Sequence, residues 1–483
     1  MNALRPHHML ILLACALLTA CMTVGPDYVP PELEVPAAWQ RVDPAAYQAT
    51  HAAATETLSH WWRGLNDPLL SALVDESLQN APDLRNAQAR LRESRARRAV
   101  AASDQYPSVT ASGTARRSRS SEETGSGDTR SLYSAGFDAT WELDVFGGVR
   151  RGVEAADADL AASVENLRDA RVSLAAETAL NYVEVRALQT RLGIARDNLA
   201  SQSETLQLTS WRYQAGLVGR QDVEQARTNL EQTRSQIPGL EISLAEAEHR
   251  LDILLGHPPG TLHARLAESA PLPAAPERIA VGIPADTLRQ RPDVRAVERK
   301  LAAETARVGV AEAARYPAFK ISGSVGVEAL ELSALGNRGA ATTSLLAGIT
   351  APVFNAGRLR NQVEIQDAVR EQALVAYEQA VLTALQDVEN ALVAITRNDE
   401  RTRALSSAVA SAENAAELAR QNYSAGLIDF QSVLNTERTV LSVSDSLANT
   451  RADGLLALIR LYKALGGGWS SPGNSPQDGK DMK

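Results

Sequence analysis

The sequence predicts a mainly helical chain with a small β part of the membrane-spanning kind, and three observations carry that expectation. The first is a duplication: Pro82-Asp83-Leu84-Arg85 returns as Pro292-Asp293-Val294-Arg295, Tyr106-Pro107-Ser108 as Tyr316-Pro317-Ala318, and Tyr213-Gln214-Ala215-Gly216-Leu217 as Tyr423-Ser424-Ala425-Gly426-Leu427. The offset is constant, since 292 − 82, 316 − 106 and 423 − 213 all equal 210. A period this long marks a duplicated half-protein, not a solenoid. The second observation is a strict two-residue alternation within each half. The third is a pair of very long stretches without proline, Gly148 to Ile237 and Phe354 to Ser471, rich in Ala, Leu, Glu, Gln and Arg.

Near the start of the chain stand Arg5, an apolar run from Met9 to Leu18, and then Leu18-Thr19-Ala20-Cys21. This reads as a lipoprotein signal peptide over residues 1–20, with small residues for the peptidase and a Cys21 thiol that takes a covalent lipid. An ordinary secretory signal that happens to contain Cys is the alternative. The run is too short to span a bilayer. Cys15 leaves with the signal, so the mature chain is expected to carry no disulfide and no thiol chemistry. Met22, in place of Asp, is compatible with delivery to the outer membrane of a Gram-negative cell. Residues 21–65, with Pro26, Pro30, Pro31 and Pro36, are expected to run extended from the lipid anchor.

The net charge of −9 and pI near 5.5 argue against nucleic acid as a partner, because phosphate binding needs a basic surface. No stretch reaches about 18 consecutive apolar residues, so a membrane crossing would have to be made by strands.

The first repeat is expected over 66–256, with a β-hairpin at about 106–146. From Tyr133 to Val145 one face collects Tyr133, Ala135, Phe137, Ala139, Trp141, Leu143 and Val145, and the other Ser134, Gly136, Asp138, Thr140, Glu142 and Asp144. Outer-membrane barrel strands need about ten such residues, with polar side chains toward the lumen. A half-buried strand of a soluble sheet is the alternative. Tyr133 and Trp141 are roughly 26 Å apart along a strand and about 20 Å after tilting, a spacing suited to aromatic anchors at two lipid interfaces. Asp138, Glu142 and Asp144 are candidates for lumen-facing acids that favour cations, against a plain solvated face. The partner strand is expected at Ser108 to Ala115, with Arg116 to Arg130 as a solvated loop. In the second repeat, 285–468, the hairpin is expected at about 316–354: Phe319, Ile321, Gly323, Val325 and Val327 alternate with Lys320, Ser322, Ser324 and Gly326, and a less regular return strand lies near Ser344 to Phe354. Two hairpins supply four strands, too few to close a barrel in lipid, so several copies must close it together.

A helix from about Val149 to Tyr213 would be roughly 98 Å long at 1.5 Å per residue. Such helices must supercoil against neighbours; a plain coiled-coil rod is the alternative, although a rod has no use for barrel-type hairpins. Gly216 and Gly426 stand where a left-handed residue would end each long helix and start a hairpin tip. Prolines 258, 259, 271, 273, 276 and 284 make 257–284 the linker between repeats, and Gly466-Gly467-Gly468 reads as a helix stop before a disordered tail, 469–483. Of seven histidines, His7 and His8 lie in the signal, and His249 and His257 have no ligand partner at metal spacing. With no phosphate-binding Gly-rich loop and no nucleophile elbow, the chain is expected to be no enzyme, with no cofactor and no metal site.

Taken together, Cys21 with Gly25-Pro26-Asp27-Tyr28, Gln290-Arg291-Pro292-Asp293, Pro352-Val353-Phe354-Asn355-Ala356-Gly357 and the ending Leu461-Tyr462-Lys463-Ala464-Leu465-Gly466-Gly467-Gly468-Trp469 make the chain resemble the outer-membrane factors. These are the TolC-like exit ducts of tripartite efflux pumps, and the resemblance is to their OprM/NodT lipoprotein branch. It implies a homotrimer whose twelve strands form one outer-membrane β-barrel, continuous with a long periplasmic α-helical barrel closed at its far end. It implies a periplasmic adaptor contacting the tips at Gly216, Leu217, Gly426 and Leu427, and through it an inner-membrane transporter. By the same resemblance Tyr423 and Arg438 fall where relatives hold the inner helices shut. Gln431 and Asn435 fall where OprM-like ducts carry a leucine and an aspartate, a departure from the family pattern; ordinary helix packing is the alternative for all four. The implied function is a passive exit duct for a resistance-nodulation-division type pump, with a type I protein-secretion duct and a poreless lipid-anchored scaffold as the other readings.

Overall fold

The computed structural model describes residues 23–32, 34–40, 47–49, 58–276, 279–281 and 284–469. Cys21, the expected signal peptide and the tail after Trp469 lie outside the described residues. In chain order the elements of the first half are β1 (Tyr47–Ala49), α1 (Pro68–Asn80), α2 (Pro82–Ser103), β2 (Ser108–Arg119), β3 (Thr129–Leu143), α3 (Gly148–Gln214) and α4 (Arg220–Leu254). They are followed by α5 (His263–Leu266), β4 (Ile279–Val281), α6 (Pro284–Gln290), α7 (Pro292–Ala313), β5 (Ala318–Ala329), β6 (Ala341–Thr350), α8 (Arg358–Ser424) and α9 (Phe430–Ala464).

The sequence period is also a period of elements. Both ends of α7, β5, α8 and α9 lie 210 residues after those of α2, β2, α3 and α4. Contacts nevertheless divide the chain differently from the repeats. One compact unit is built on Ala89–Val164 and Arg295–Gln379 with residues 23–32, and the other on Glu165–Val294 and Ala380 onward with the described residues between 34 and 88. Each repeat contributes to both units.

The first unit holds the antiparallel sheet β2-β3-β5-β6. Its register stacks Val109, Ala139, Gly323 and Leu345 in one row and Ala111, Phe137, Val325 and Thr343 in the next, all on one face. The other face carries Ser108, Thr140 and Ser322, then Thr110, Asp138 and Ser324. Gly136 and Gly326 are directly opposed where the two hairpins meet. A Cβ on Gly326 would stand 2.7 Å from the carbonyl oxygen of Ala135, and one on Gly136 2.8 Å from that of Val325, so both positions require glycine for the close approach.

The bounds of β2, β3 and β6 differ from expectation. β2 continues to Arg119 and pairs Arg117 with Ser131 and Arg119 with Thr129, because charged and hydroxyl side chains cost nothing at the wet end of a sheet. β3 stops at Leu143: Asp144 turns back to accept hydrogen bonds from the backbone N–H of Val149 (3.1 Å) and Arg150 (2.8 Å), capping α3. β6 runs from Ala341 to Thr350 and ends short of Pro352, which has no N–H for the ladder. Residues 23–28 are fastened to this unit. The buried Arg151 donates to the carbonyls of Val24 and Gly25 and to the Asp27 carboxylate at 2.7 Å, and the Tyr28 hydroxyl donates to Glu298 at 3.0 Å.

The long helices α3 and α8 each run 67 residues. Each ends in the same paired hydrogen bonds. The N–H groups of Gly216 and Leu217 donate to Tyr213 and Arg212, and those of Gly426 and Leu427 donate to Tyr423 and Asn422, all at 2.9 Å. Both glycines are left-handed, with φ of +74° and +77°, as this stop requires. The core of the second unit gathers Trp61, Trp62, Leu70, Leu73, Tyr182 and Leu251, with Trp61 stacked on Tyr462 at 5.1 Å. Arg291 binds Asp293, Asp387 and the carbonyl of Ala464, which ties the start of α7 to α8 and the end of α9.

The expected linker is partly core. Leu262 and Leu266 are fully buried, Asp252 accepts from the N–H of Gly260 and Leu262, and β4 pairs in parallel with β1. Apolar side chains between the prolines drive this docking. Replacing Gly326 with Val is expected to abolish the heat-modifiable folded band in electrophoresis of membrane extracts. Gly348→Val, where a Cβ meets nothing within 4 Å, should leave that band at wild-type intensity.

Candidate functional site

On the sheet, Tyr133 and Trp141 share a face with Phe137, and the Trp141 indole N–H donates to the carbonyl of Gln105 at 3.1 Å. The three acids expected on the opposite face have different fates. Asp138 lies on that face and accepts from the Ser112 hydroxyl at 3.1 Å. Glu142 pairs across strands with Lys320 at 3.3 Å, both of them exposed. Asp144 is not on the strand at all; it is the cap of α3 and pairs with Arg150 at 3.2 Å. The alternation continues to Asp144 in sequence, but a carboxylate beside a helix N-terminus satisfies orphan N–H groups and is drawn there. Of the three expected acids, Asp138 and a neutralised Glu142 remain on the polar face, where β5 adds the exposed Glu328 opposite Ser134. Lys320 was visible in the alternation, yet its partner follows only from the register.

The four expected gate residues lie near the turn after α8. Tyr423 is 3% exposed, in a cluster with Ala419, Phe430, Val433 and Leu434. The Arg212 guanidinium sits 4.4 Å over its ring and donates to its carbonyl oxygen, so α3 is tied to the end of α8. Arg438 Nε donates to Asn229 Oδ1 at 2.9 Å, which ties α9 to α4. Tyr423 and Arg438 are thus not brought into contact with each other; each has its own partner on the first helix hairpin. Gln431 donates to Asn435 at 3.1 Å within α9, and both are exposed. Leu217 and Leu427 are exposed at the tips, and Leu217, Gly426, Phe430, Arg212 and Asp222 line one groove of about 360 Å³.

Sequence reasoning missed Arg212 and Asn229. A signal for them existed in the duplication, because these are places where the halves disagree. Arg212 matches Asn422, Asn229 matches Thr439, and Arg438 matches Thr228.

Comparison with known proteins bears on this arrangement. The family model described as outer membrane efflux protein matches residues 73–257 and again 283–467. The chain belongs to the outer membrane efflux protein family. Nodulation protein T of Rhizobium leguminosarum bv. viciae is 32% identical over 460 residues, covering 94% of this chain and 92% of that protein. The toluene efflux pump outer membrane protein TtgF of Pseudomonas putida is 29% identical over 480 residues, 98% of this chain and 99% of its own. Among solved structures, the outer-membrane channel OprN superposes with a TM-score of 0.86 at 36% identity, over 92% of this chain and 99% of that one. The open state of the Neisseria gonorrhoeae MtrE outer membrane channel superposes with a TM-score of 0.80 at 28% identity, over 92% and 98%.

This efflux protein therefore has the TolC-like fold that its motifs suggested, mainly helical with a small β part, and it is an outer-membrane channel component of an efflux pump. Replacing Asp144 with Ala in the efflux protein should cost about 1 kcal/mol of stability by loss of the α3 cap. It would be read as a lowered thermal unfolding midpoint in detergent, with Asp138→Asn leaving the midpoint in place.

Proposed function

We propose that this chain forms the exit duct of a tripartite efflux assembly. In this reading it is a homotrimer, anchored by lipid on Cys21, with twelve strands closed into one barrel and with the turns at Gly216-Leu217 and Gly426-Leu427 meeting a periplasmic adaptor. A resistance-nodulation-division type transporter in the inner membrane supplies the energy. The cargo is a small molecule, as supported by relatives whose names refer to toluene, solvent and pyoverdine export. Docking of residues 23–28 on the first unit supports a lipid anchor just ahead of them.

The observation that carries the trimer is that, among the described residues, β2 and β6 are each paired on one side only, at the two edges of the sheet. The repeat supplies their register. Partners across β2 and β3 sum to 248 (108 + 140) and across β5 and β6 to 668 (318 + 350), a difference of 420 or twice 210. The two hairpins are therefore equivalent. Across the junction of β3 and β5 the partners sum to 462 (133 + 329). Adding 210 to one and subtracting it from the other leaves 462, so β6 of one protomer is expected to pair with β2 of the next by that rule. This sets Ile349 opposite Gly113, Ala347 opposite Ala115 and Val353 opposite Val109, apolar face to apolar face, and so gives the exposed Ile349 and Val353 a cover.

With Cys at both Ala115 and Ala347, oxidation should yield inter-subunit disulfides, seen as covalent dimers and trimers on non-reducing gels. Ala115→Cys with Leu346→Cys, on opposite faces, should not. Dominant cross-linking between Cys at 115 and Cys at 345 or 349 would replace the register, and none in any pairing would remove the shared barrel. We also propose that Tyr423 and Arg438 help latch the closed state, and this is tested separately. Tyr423→Ala with Arg438→Ala should raise single-channel conductance in planar bilayers and sensitise cells to vancomycin, and unchanged values in both assays would end the latch reading.

A further inference from the structure

In the second unit, the Glu437 carboxyl lies at the contact between α9 and α3, where an ion is costly. Glu437, adjacent in sequence to Arg438 on α9, is 4% exposed. One of its oxygens accepts a hydrogen bond from the Thr205 hydroxyl on α3 at 2.6 Å, and the other is buried without a partner. Around Thr205 the same face of α3 carries Gln202 and Thr209, both buried, and neither the amide oxygen nor the amide nitrogen of Gln202 has a partner. Polar groups at these depths cost about 1–3 kcal/mol each when unpaired, so this is a weak layer in the packing of α3 against α9.

The charged surroundings leave Glu437 uncompensated. A groove of about 300 Å³ beside it is lined by Asp197 of α3, by Glu413 and Arg420 of α8, and by no residue of α4. Arg420 is the cation nearest in effect, but it donates to the Ser201 hydroxyl at 2.6 Å and pairs with Glu417 at 3.4 Å. Arg438 turns to Asn229 instead. Burial therefore holds the Glu437 carboxyl above the ordinary glutamate range, against the lowering effect of Thr205 and Arg420.

We propose that Glu437 is a proton-sensitive lock on the helix pair behind the tips: protonated, it lets α9 stay packed on α3; ionised, it favours their separation and a wider duct. The lock rests on the exit-duct reading given above. Its sign follows from linkage. An acid whose packed state binds its proton more tightly than the separated state stabilises packing as pH falls, and this preference is lost as pH rises through the packed-state value. Each Glu437 then changes the ratio of open to closed by at most about tenfold per pH unit.

The experiment is single-channel recording of the full-length protein in planar bilayers from pH 5 to pH 8. The wild type should conduct less at the acid end. Glu437→Gln, which keeps the shape of the neutral acid, should hold its acid-end conductance across the range, whereas Asp197→Asn and Glu413→Gln should keep the wild-type pH midpoint. Wild-type conductance independent of pH, or full pH dependence in Glu437→Gln, would overturn the lock while leaving the duct intact. No conductance from the wild type at any pH, nor from Tyr423→Ala with Arg438→Ala, would instead overturn the duct. If Glu437→Gln does not assemble, Thr205→Val tests the same contact: loss of the donor should move the midpoint to higher pH, and an unmoved midpoint overturns the lock.

Discussion

Among the described residues, a four-stranded sheet with β2 and β6 at its edges leaves a row of backbone N–H and C=O groups without partners, and hydrocarbon offers none. Each such group costs several kcal/mol in lipid, more than any side-chain contact on these strands returns. This constraint organises the rest of the molecule. It accounts for the alternating faces, since a strand between lipid and water must be apolar on one side only. In the proposed closure between protomers, Gly113 of β2 leaves room for the larger Ile349 of β6, and the closure supplies the missing partners.

Duplication makes closure economical, because one junction serves as the template for the next. It also shows where the chain has specialised. The two 67-residue helices and the two 35-residue helices match end for end, and both long helices stop by the same glycine-terminated bonds. Around the tips the symmetry fails in its polar residues. Arg212, Asn229, Glu437 and Arg438 have no like residue 210 positions away, where Asn422, Thr439, Arg227 and Thr228 stand instead. Contacts made once per chain, between the first helix hairpin and the second, must be asymmetric, since the two hairpins play different parts in them.

Near the tips the two hairpins share a small apolar cluster, with Ala226, Leu206 and Leu208 against Tyr423, Phe430 and Leu434, and several polar contacts. Arg212 on Tyr423, Arg438 on Asn229 and Thr205 on Glu437 are single contacts set among orphaned atoms, including Asn229 Nδ2, Arg212 Nε and the free oxygen of Glu437. By contrast, the core around Trp61, Tyr182 and Leu251 is dense and apolar. Partly unsatisfied polar layers separate at lower cost than buried apolar area, in keeping with the proposals made above for Tyr423, Arg438 and Glu437.

The architecture was legible in the sequence because it rests on local, periodic signals: the 210-residue repeat, the alternation around Tyr133 to Leu143, the absence of proline in the long helices, and glycine at 216 and 426. The family was legible from short motifs such as Gly25 to Tyr28 and Arg291 with Asp293, although the partners of these motifs, Arg151, Glu298 and Asp387, lie far away in sequence. What tertiary structure decided was partnership across long sequence separations. It moved Asp144 from the strand face to a helix cap, neutralised Glu142 with Lys320, drew Leu262 and Leu266 of the linker into the core, and gave Tyr423 and Arg438 separate partners. Period and propensity specify which way a side chain faces on its own element; which group it meets depends on register and packing, which no single stretch of sequence contains.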